Sequence, residues 1–440
     1  MKLFFPHTPL QPLYREQNLP RAICRSLNLM LYANMCGNMF GIVCGGGTTA
    51  MIGLANVLGA GDLAFGILNG IPQAAALLQI PFSMLVGRTH HRKKYLLTFG
   101  LISRALWILF GLIPLVMPMA PQAVRLWTLI FLLGISSCCS AAINPCWFPW
   151  FSDLAPMSIR ARWLSYRDIV IAAANVIFGL FASWLLQTLP ESIRYAIVFA
   201  IGGLVGMTDM LCFSGCEEKY STPPARSHIK DVLRAALKHK PFVRLTLMWT
   251  AWCFTSNMVS AYMNRYSMNE MGLTFMQIMI FVTMAASLGT MLSGRTWGKL
   301  MGTIGGRQVM LIACIGTVLC HGFYLFSTPG NVLPPLLANL LGAIFWTGSN
   351  LAANTLQLSA TPEEGKASYI AIFSCTTCLV GTALGTVCGG ALLEWLGGLG
   401  QITLLGGALD RYKVLVILAM VLRMTAVLLL VPRLKENAEE

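Results

Sequence analysis

Charged side chains are scarce in this chain, since Asp, Glu, Lys and Arg together make up only 11% of its 440 residues. A soluble domain carries roughly 25% charged residues. The apolar fraction is 56% and the mean hydropathy is +0.67. This composition excludes an ordinary soluble protein, because too few ionised groups are present to cover a surface that faces water. It indicates helices that cross a lipid bilayer.

Patterns that would indicate a metal site, a secreted scaffold or an enzyme are also missing. The chain has 14 Cys residues, but nearly all fall inside apolar stretches and no pair has zinc-ligand spacing with His. The first residues have neither a long apolar core nor a small-residue cleavage site, so no cleaved signal is predicted. No paired carboxylates or His–Asp couple lie at one membrane face. We therefore expect no cofactor and no enzymatic activity.

Twelve apolar stretches are long enough to span a bilayer, which requires roughly 20 residues per helix. They are predicted at 28–51, 62–86, 95–117, 123–143, 163–187, 194–213, 243–265, 275–297, 308–327, 333–354, 367–394 and 412–432. The sequence thus predicts an all-α integral membrane protein. Its parts are a lead-in (1–27), a six-helix bundle (28–213), a linker with a surface helix (214–242), a second six-helix bundle (243–432) and a tail (433–440).

A short pattern occurs twice, after the fourth and after the tenth stretch. The first copy is Pro156-x-x-x-Arg160-Ala161-x-Trp163 and the second is Pro362-x-x-x-Lys366-Ala367-x-Tyr369. The copies are separated by nearly half of the chain, which indicates a duplicated six-helix unit. Such duplication is typical of secondary transporters.

The net charge of +14 has a clear distribution along the chain. Of the 31 Lys and Arg residues, 24 fall in segments on the side of the termini and 5 on the other side. By the positive-inside rule, both termini are predicted in the cytoplasm. Anionic lipid, rather than nucleic acid, is the expected partner of this charge. The short connecting loops favour a bacterial inner membrane protein, which we expect to be a monomer.

Two short loops carry related basic sequences. Leu85, Gly87 and Arg92 in the first align with Leu300, Gly302 and Arg307 in the second. Here the chain resembles the major facilitator superfamily, whose loop motif Gly-x-Leu-Ala-Asp-Arg-x-Gly-Arg-Lys occupies the same two loops. The resemblance implies a fold of twelve transmembrane helices in two pseudo-symmetric bundles. The Asp of the motif is replaced by glycine in both copies, so the helix latch that this Asp is implied to form is absent.

The segment 144–168 combines Arg, Asp, Trp and Pro residues between the fourth and fifth stretches. It is loosely similar to the same loop of the glycoside–pentoside–hexuronide symporters. Ion pairs at one membrane face can switch partners and gate a pathway, or they can act as static anchors. The candidates for gating pairs are Arg88, Arg92, Asp153, Arg160, Arg167, Asp168, Arg307 and Lys366.

Three charged residues are predicted inside the membrane, where charge is costly and is by default a functional candidate. They are Arg104, Asp209 and Arg423. Asp209 is a plausible partner for Arg104, because their spans belong to the same half. A structural ion pair, a role in coupling or substrate binding, and a misplaced span boundary all remain open.

The family resemblance implies a cavity lined by the first, fourth, seventh and tenth spans, and these spans carry amides, hydroxyls and aromatic rings. The candidate lining residues are Asn34, Asn38, Asn144, Trp147, Trp252, Ser256, Asn257, Asn264, Trp346, Asn350 and Asn354. Thr347, Asn350 and Asn354 follow helical spacing and form one polar stripe. Polar groups between membrane helices can also act as packing contacts worth about 0.6–2 kcal/mol each.

We therefore predict a secondary or facilitative transporter of a small polar solute that works by alternating access. A sugar or nucleoside suits amides and aromatic rings, whereas Arg104 or Arg423 facing the cavity would favour an anion. Sodium coupling, proton coupling and uncoupled transport stay open. The alternatives are an organic-anion or drug transporter of the same fold, a non-transporting scaffold, and a protein that acts on lipid.

Overall fold

The computed structural model describes residues 10, 14–15, 17–89, 91–218, 236–361, 366–399, 402–404 and 407–434. Within these residues the chain is almost entirely helical, as predicted. Most of the predicted surface helix of the linker, the Pro362 end of the second repeat and most of the charged tail lie outside the described residues.

The described helices form twelve rods, which we number as spans 1 to 12. Their helical segments are, for span 1, Arg21–Val43 and Thr49–Val57; span 2, Asp62–Ala75, Ala76–Leu78 and Gln79–Thr89; span 3, Arg92–Val116; span 4, Gln122–Ser140 and Ile143–Leu154; span 5, Met157–Thr188; span 6, Glu191–Ser214; span 7, Lys240–Asn269; span 8, Phe275–Ile278, Met279–Met284 and Ala285–Ile304; span 9, Gly306–His321 and Gly322–Phe326; span 10, Leu333–Ser359; span 11, Lys366–Thr376, Thr377–Ala383 and Leu384–Gly398; and span 12, Arg411–Leu430 and Val431–Arg433.

Ten of these rods are long and apolar enough to cross a membrane. Spans 1 and 7 are the two that fall short of that apolarity within the described residues. Both carry several amides along their length, among them Asn34 and Asn38 in span 1 and Asn257 and Asn264 in span 7. The all-helical membrane fold is confirmed, and its two least apolar rods are spans that we predicted to line a cavity.

Several boundaries differ from the prediction. Span 1 is not continuous through residue 51, because the helix stops at Val43 and restarts at Thr49. Span 4 continues to Leu154 after a turn, where the sequence predicted a loop from residue 144. Residues 399–410, predicted as a plain loop, contain a short antiparallel hairpin of Ile402–Leu404 and Gly407–Leu409. Spans 8 and 11 each contain a π-helical segment, Met279–Met284 and Thr377–Ala383.

Because consecutive rods alternate in direction, the connections fall at two ends of the bundle. We call the end with connections 89–92, 154–157, 214–240, 304–306 and 359–366 the basic end. The end with connections 57–62, 116–122, 188–191, 269–275, 326–333 and 398–411 is the opposite end. The opposite end also holds the hairpin.

The hydrophobic core is shared at one end and divided at the other. At the opposite end a single cluster combines residues of both halves, such as Leu58 and Phe199 with Tyr266 and Tyr412. At the basic end one cluster consists only of residues up to 216, and a separate cluster only of residues from 236 onward. The two halves are therefore packed together at the opposite end and form separate cores toward the basic end.

Candidate functional site

Three adjoining cavities lie between and within the two halves. The N-half cavity, of about 390 Å³, is lined by spans 1 to 4. The C-half cavity, of about 560 Å³, is lined by spans 7 to 10. A bridge cavity of about 210 Å³ shares Gly47, Asn69 and Gln73 with the first and Asn257, Ser260 and Asn264 with the second. Because the three cavities adjoin through these shared wall residues, we refer to them together as the central cavity.

A fourth space, the side cavity, has a volume of about 570 Å³ and is lined by spans 1, 4, 5 and 8. Its polar wall contains Asn34, Asn38, Trp147, Arg167 and Asp168. Its other wall is apolar and rich in methionine. Thr283 and Ser287 of span 8 line both this space and the C-half cavity.

Trp346 provides the aromatic surface of the C-half cavity. Its side chain is 37% exposed and belongs to the cavity lining. Trp252 stacks behind it, with ring centroids 6.2 Å apart and an interplanar angle of 24°. The prediction that Trp252 lines the cavity is wrong, because this ring is fully buried behind Trp346.

The lining amides share one hydrogen-bonding arrangement. The Nδ2 atoms of Asn34, Asn38 and Asn257 each donate to the carbonyl four residues earlier, over 2.7, 2.8 and 2.8 Å. One Nδ2 hydrogen is used in this way, so each Oδ1 remains an acceptor. Asn264 donates instead to the carbonyl of Gly47 in the other half, over 3.3 Å.

The lining hydroxyls use their hydrogens in the same manner. Thr317, Ser287 and Thr290 donate to carbonyls of their own helices over 2.8, 3.0 and 3.1 Å. Their lone pairs stay available as acceptors. Ser256 also borders the cavity, and its buried hydroxyl has no hydrogen-bond partner among the described residues.

His321 adds a further acceptor to the C-half cavity. Its Nδ1 lies 2.9 Å from the carbonyl oxygen of Thr317. A carbonyl oxygen only accepts, so in the neutral ring Nδ1 carries the hydrogen and Nε2 is an acceptor. From the sequence, His321 is interpreted as a packing residue, because a lone His in an apolar span has no pattern that marks it as a cavity residue. Asn339, which also lines the cavity, donates to the Tyr324 hydroxyl over 2.8 Å.

The remaining cavity candidates lie elsewhere. Asn350 and Asn354 lie further along span 10 toward the basic end and are not among the lining residues of the four cavities. Asn350 donates to the Trp346 carbonyl over 3.0 Å, and Asn354 is exposed. The side chain of Asn144 lies outside the described part of the structure.

The charges predicted inside the membrane lie behind the cavity walls. Arg104 pairs with Asp209 at 3.2 Å, with both side chains buried, and its guanidinium lies 4.3 Å from the Phe40 ring. Arg423 is 1% exposed and donates to the carbonyls of Thr255 and Ser256 over 3.2 and 2.8 Å.

Several predicted gating residues form bonds inside the first half. Arg92 pairs with Asp153 in a buried contact between spans 3 and 4. Arg160 donates to the carbonyls of Ala155 and Ser152 over 2.8 and 2.5 Å, next to the end of span 4.

The other gating candidates are less enclosed. Arg167 pairs with its neighbour Asp168 at 2.7 Å, at the side cavity. Arg307 is exposed at the start of span 9. The side chains of Arg88 and Lys366 lie outside the described part of the structure.

An ion cluster at the opposite end was missed by the sequence reasoning. Buried Asp62, at the start of span 2, pairs with Arg411 at 2.8 Å and Arg265 at 3.6 Å. The Tyr412 hydroxyl donates to it over 3.2 Å. We call these four residues the Asp62 cluster, and it joins the first half to spans 7 and 12. The sequence does contain a signal for this cluster, because Asp62, Arg265 and Arg411 carry opposite charges at three span ends on the same side of the bundle.

Further bonds close the opposite end around this cluster. Arg265 donates to the carbonyls of Ala60 and Gly61 over 2.6 and 3.1 Å. The Asn56 amide donates to Asn269 over 2.7 Å, and the backbone N–H of Leu63 donates to Glu394 over 3.2 Å. Hydrogen bonds and ion pairs therefore hold the two halves together at this end.

No group of three or more His, Cys, Asp or Glu side chains that could hold a metal ion occurs within the described residues.

Comparison with known proteins shows which family has this architecture. The model of the Major Facilitator Superfamily matches residues 31–386. Among solved structures, a mutant of the nucleoside transporter NupG is 12% identical, with a TM-score of 0.73 over 93% of this chain and 100% of that one. A bacterial homologue of the human lysosomal transporter Spinster, inward-facing and unoccupied, is 17% identical, with a TM-score of 0.65 over 99% of both chains.

An auto-inhibited peptide transporter of the POT family is 12% identical, with a TM-score of 0.70 over 92% of this chain and 95% of that one. At these identities the likeness shows the fold alone. No curated protein sequence matches the chain. The family model covers most of the sequence, and the chain belongs to the Major Facilitator Superfamily.

Proposed function

We propose that the protein is a secondary transporter that moves a small neutral hydroxylated solute, such as a sugar or nucleoside, by alternating access. The observation that carries the proposal is the lining of the central cavity. It is rich in amides and hydroxyls, and its described side chains include no Asp, Glu, Lys or Arg. An ionised solute at this depth would require a partner of opposite charge.

The C-half cavity also suits such a solute in size and chemistry. Pockets that bind small ligands have volumes of about 300–1,000 Å³, and this one has about 560 Å³. The face of Trp346 can stack on a sugar or base ring. The acceptors of Asn257, Thr317 and His321 match the hydroxyl hydrogens of the solute. The nucleoside transporter NupG has the same fold, so nucleosides are included among the compounds to be tested.

Alternating access fits the arrangement of the halves, which are locked at the opposite end and have separate cores at the basic end. If the basic end is cytoplasmic, as the positive-inside rule favours, this is an inward-facing state. We accordingly propose cytoplasmic termini in a bacterial inner membrane and a monomeric transporter. Sodium coupling, proton coupling and uncoupled transport are all compatible with this proposal.

An organic anion is the second candidate, because one observation favours it. The guanidinium of Arg423 lies directly behind Ser256 and bonds two carbonyls. Its positive charge raises the potential of the C-half cavity, which would favour a negative group there. We rank it second because Arg423 is buried and does not line the cavity.

Thermal unfolding of the purified protein with D-glucose, D-xylose, uridine, adenosine, citrate and pyruvate distinguishes these candidates. A ligand at 100 times its dissociation constant stabilises the folded state by about 2.7 kcal/mol. We expect stabilisation by a neutral compound, its loss in Trp346→Leu, and its retention in Trp127→Leu. Trp127 is the matched control, because it is 63% exposed on span 4 and lines none of the four cavities.

Counterflow of the same compound in proteoliposomes then separates a transporter from a scaffold. A compound that binds in the cavity but is never exchanged across the membrane would support a non-transporting role. Stabilisation by citrate or pyruvate alone would replace the neutral solute by an anion.

A further inference from the structure

Span 1 is interrupted where it meets the central cavity. Its helix ends at Val43 and a second helix begins at Thr49, leaving residues 44–48 without helical structure. Unpaired backbone groups cost several kcal/mol in lipid, so irregular backbone persists at membrane depth only inside protein or along a cavity. The interruption therefore needs partners other than its own helix.

Only part of the hydrogen-bonding capacity at this break is satisfied by protein. The N–H of Cys44 donates to the Phe40 carbonyl over 2.7 Å, and that of Thr48 to the Gly45 carbonyl over 3.3 Å. The Thr48 hydroxyl lies 2.8 Å from the Val43 carbonyl. In the described part of the chain, no partner is found for the N–H groups of residues 45–47 or for the carbonyls of Ile42 and Cys44.

These free groups border the same cavity as Trp346. Residues 44–47 line the N-half cavity, and Gly47 also lines the bridge cavity that leads to the C-half cavity. Asn69 stands beside them and uses its Nδ2 on the Phe65 carbonyl over 3.0 Å, which leaves Oδ1 as an acceptor.

We propose that the main-chain N–H and C=O groups of residues 44–47 that lack partners at this break are the first half's binding surface for the transported solute, whose hydroxyl groups they would bind. The proposal rests on the proposed function and deepens it. A hydroxyl both donates and accepts, so it matches a mixed set of groups. The N–H groups disfavour a cation, and the carbonyls disfavour an anion. The solute would then contact both halves at once, with its ring on Trp346.

Glycine at this break lets the backbone of residues 46 and 47 lie close against Leu68 and Asn69 of span 2. A Cβ atom on residue 46 would lie 3.1 Å from both Asn69 Oδ1 and the Leu68 carbonyl oxygen. A Cβ atom on residue 47 would lie 3.2 Å from Asn69 Oδ1. Neither glycine has a positive φ angle, so alanine causes no backbone strain there, but its Cβ atom would push residues 46 and 47 away from Asn69 and change the position of the main-chain groups at the break. At Gly41, one turn earlier, an added Cβ would meet nothing within 4 Å.

The test compares Gly46→Ala and Gly47→Ala with the matched control Gly41→Ala. Each variant is first unfolded thermally without solute, to establish that it folds. Affinity is then measured for the neutral compound from the glucose, xylose, uridine and adenosine set that stabilises the wild type best. We expect Gly46→Ala and Gly47→Ala to lose about tenfold in affinity, as expected for one or two lost hydrogen bonds. Gly41→Ala should stay within about twofold of the wild type.

Hydrogen–deuterium exchange in nanodiscs gives a second readout that needs no variant. The amides of residues 45–47 should exchange fast without solute and slow down when it binds. Protection of these amides in the solute-free protein would overturn the proposal, because the break would then be closed.

The remaining outcomes are distinguishable. Folded Gly46→Ala and Gly47→Ala with wild-type affinity would overturn the backbone surface and leave the proposed function intact. If the wild type binds none of the four compounds, the result contradicts both the proposed function and this proposal. Stabilisation by sodium chloride but not by choline chloride, lost in Gly46→Ala, would make the break a sodium site instead.

Discussion

Replacing Asp62 by Asn should release the closed end of the bundle. Asp62 is the buried acceptor on which Arg265, Arg411 and the Tyr412 hydroxyl converge, and all three donors belong to the other half. Removing one partner of a buried ion pair costs about 3–5 kcal/mol. The Arg411 side chain is 35% exposed, so solvent weakens its attraction to Asp62. We therefore expect the substitution to cost about 2–3 kcal/mol. Because this loss affects only the state closed at the opposite end, the open population should rise by roughly 30- to 150-fold.

Hydrogen–deuterium exchange measures this effect directly. In Asp62→Asn, the peptides that cover Thr49–Val57 and the C-terminal part of span 7 should exchange faster, while peptides at the basic end should not. Glu191→Gln is the matched control, because Glu191 lies at the same end but its 3.9 Å ion pair with Arg194 stays within the first half. Equal exchange in the two variants would refute the idea that the Asp62 cluster holds the halves together.

Two further predictions concern the buried charges. Asp209→Asn should lower the free energy of unfolding by about 3 kcal/mol, since it leaves the Arg104 guanidinium buried without its carboxylate, whereas Arg104→Leu combined with Asp209→Leu should cost less. Thermal unfolding in detergent measures both, and a double variant less stable than Asp209→Asn would contradict a purely structural pair. Arg423→Met should cost only about 1–2 kcal/mol, because it removes the charge and leaves two neutral carbonyls. A larger loss than in Asp209→Asn would show that this reasoning is wrong.

The helices were predictable because a bilayer requires long apolar segments, and composition alone reveals them. The interruption of span 1 was not, because three consecutive glycines read as part of an apolar span. Whether they break the helix depends on the cavity beside them, and the Gly47 carbonyl accepts a hydrogen bond from Asn264, over two hundred residues later in the chain.

The sequence predicted which types of residue line the cavities better than it predicted which individual residues do so. Asn34, Asn38, Trp147, Ser256, Asn257, Asn264 and Trp346 do line cavities. Trp252 does not, because stacking on Trp346 fills the space between the rings and excludes it from the surface. The Asp62 cluster escaped notice because each of its charges lies at a span end, where a charge ordinarily faces water. Its role depends on three spans meeting, which a single sequence does not reveal.

The predicted gating charges differ in how easily they can change partner. Arg92 and Asp153 are both buried, so separating them would lose their attraction in a low-dielectric environment, where it is strongest. Such a pair is suited to hold spans 3 and 4 together in every state. Arg167 pairs with the adjacent Asp168, whose side chain is 64% exposed, and an exposed pair is worth about 0–1 kcal/mol. Arg167 also borders the side cavity between the halves. Of the two pairs, it is therefore Arg167 and Asp168 that can exchange partners at little cost when the basic end closes.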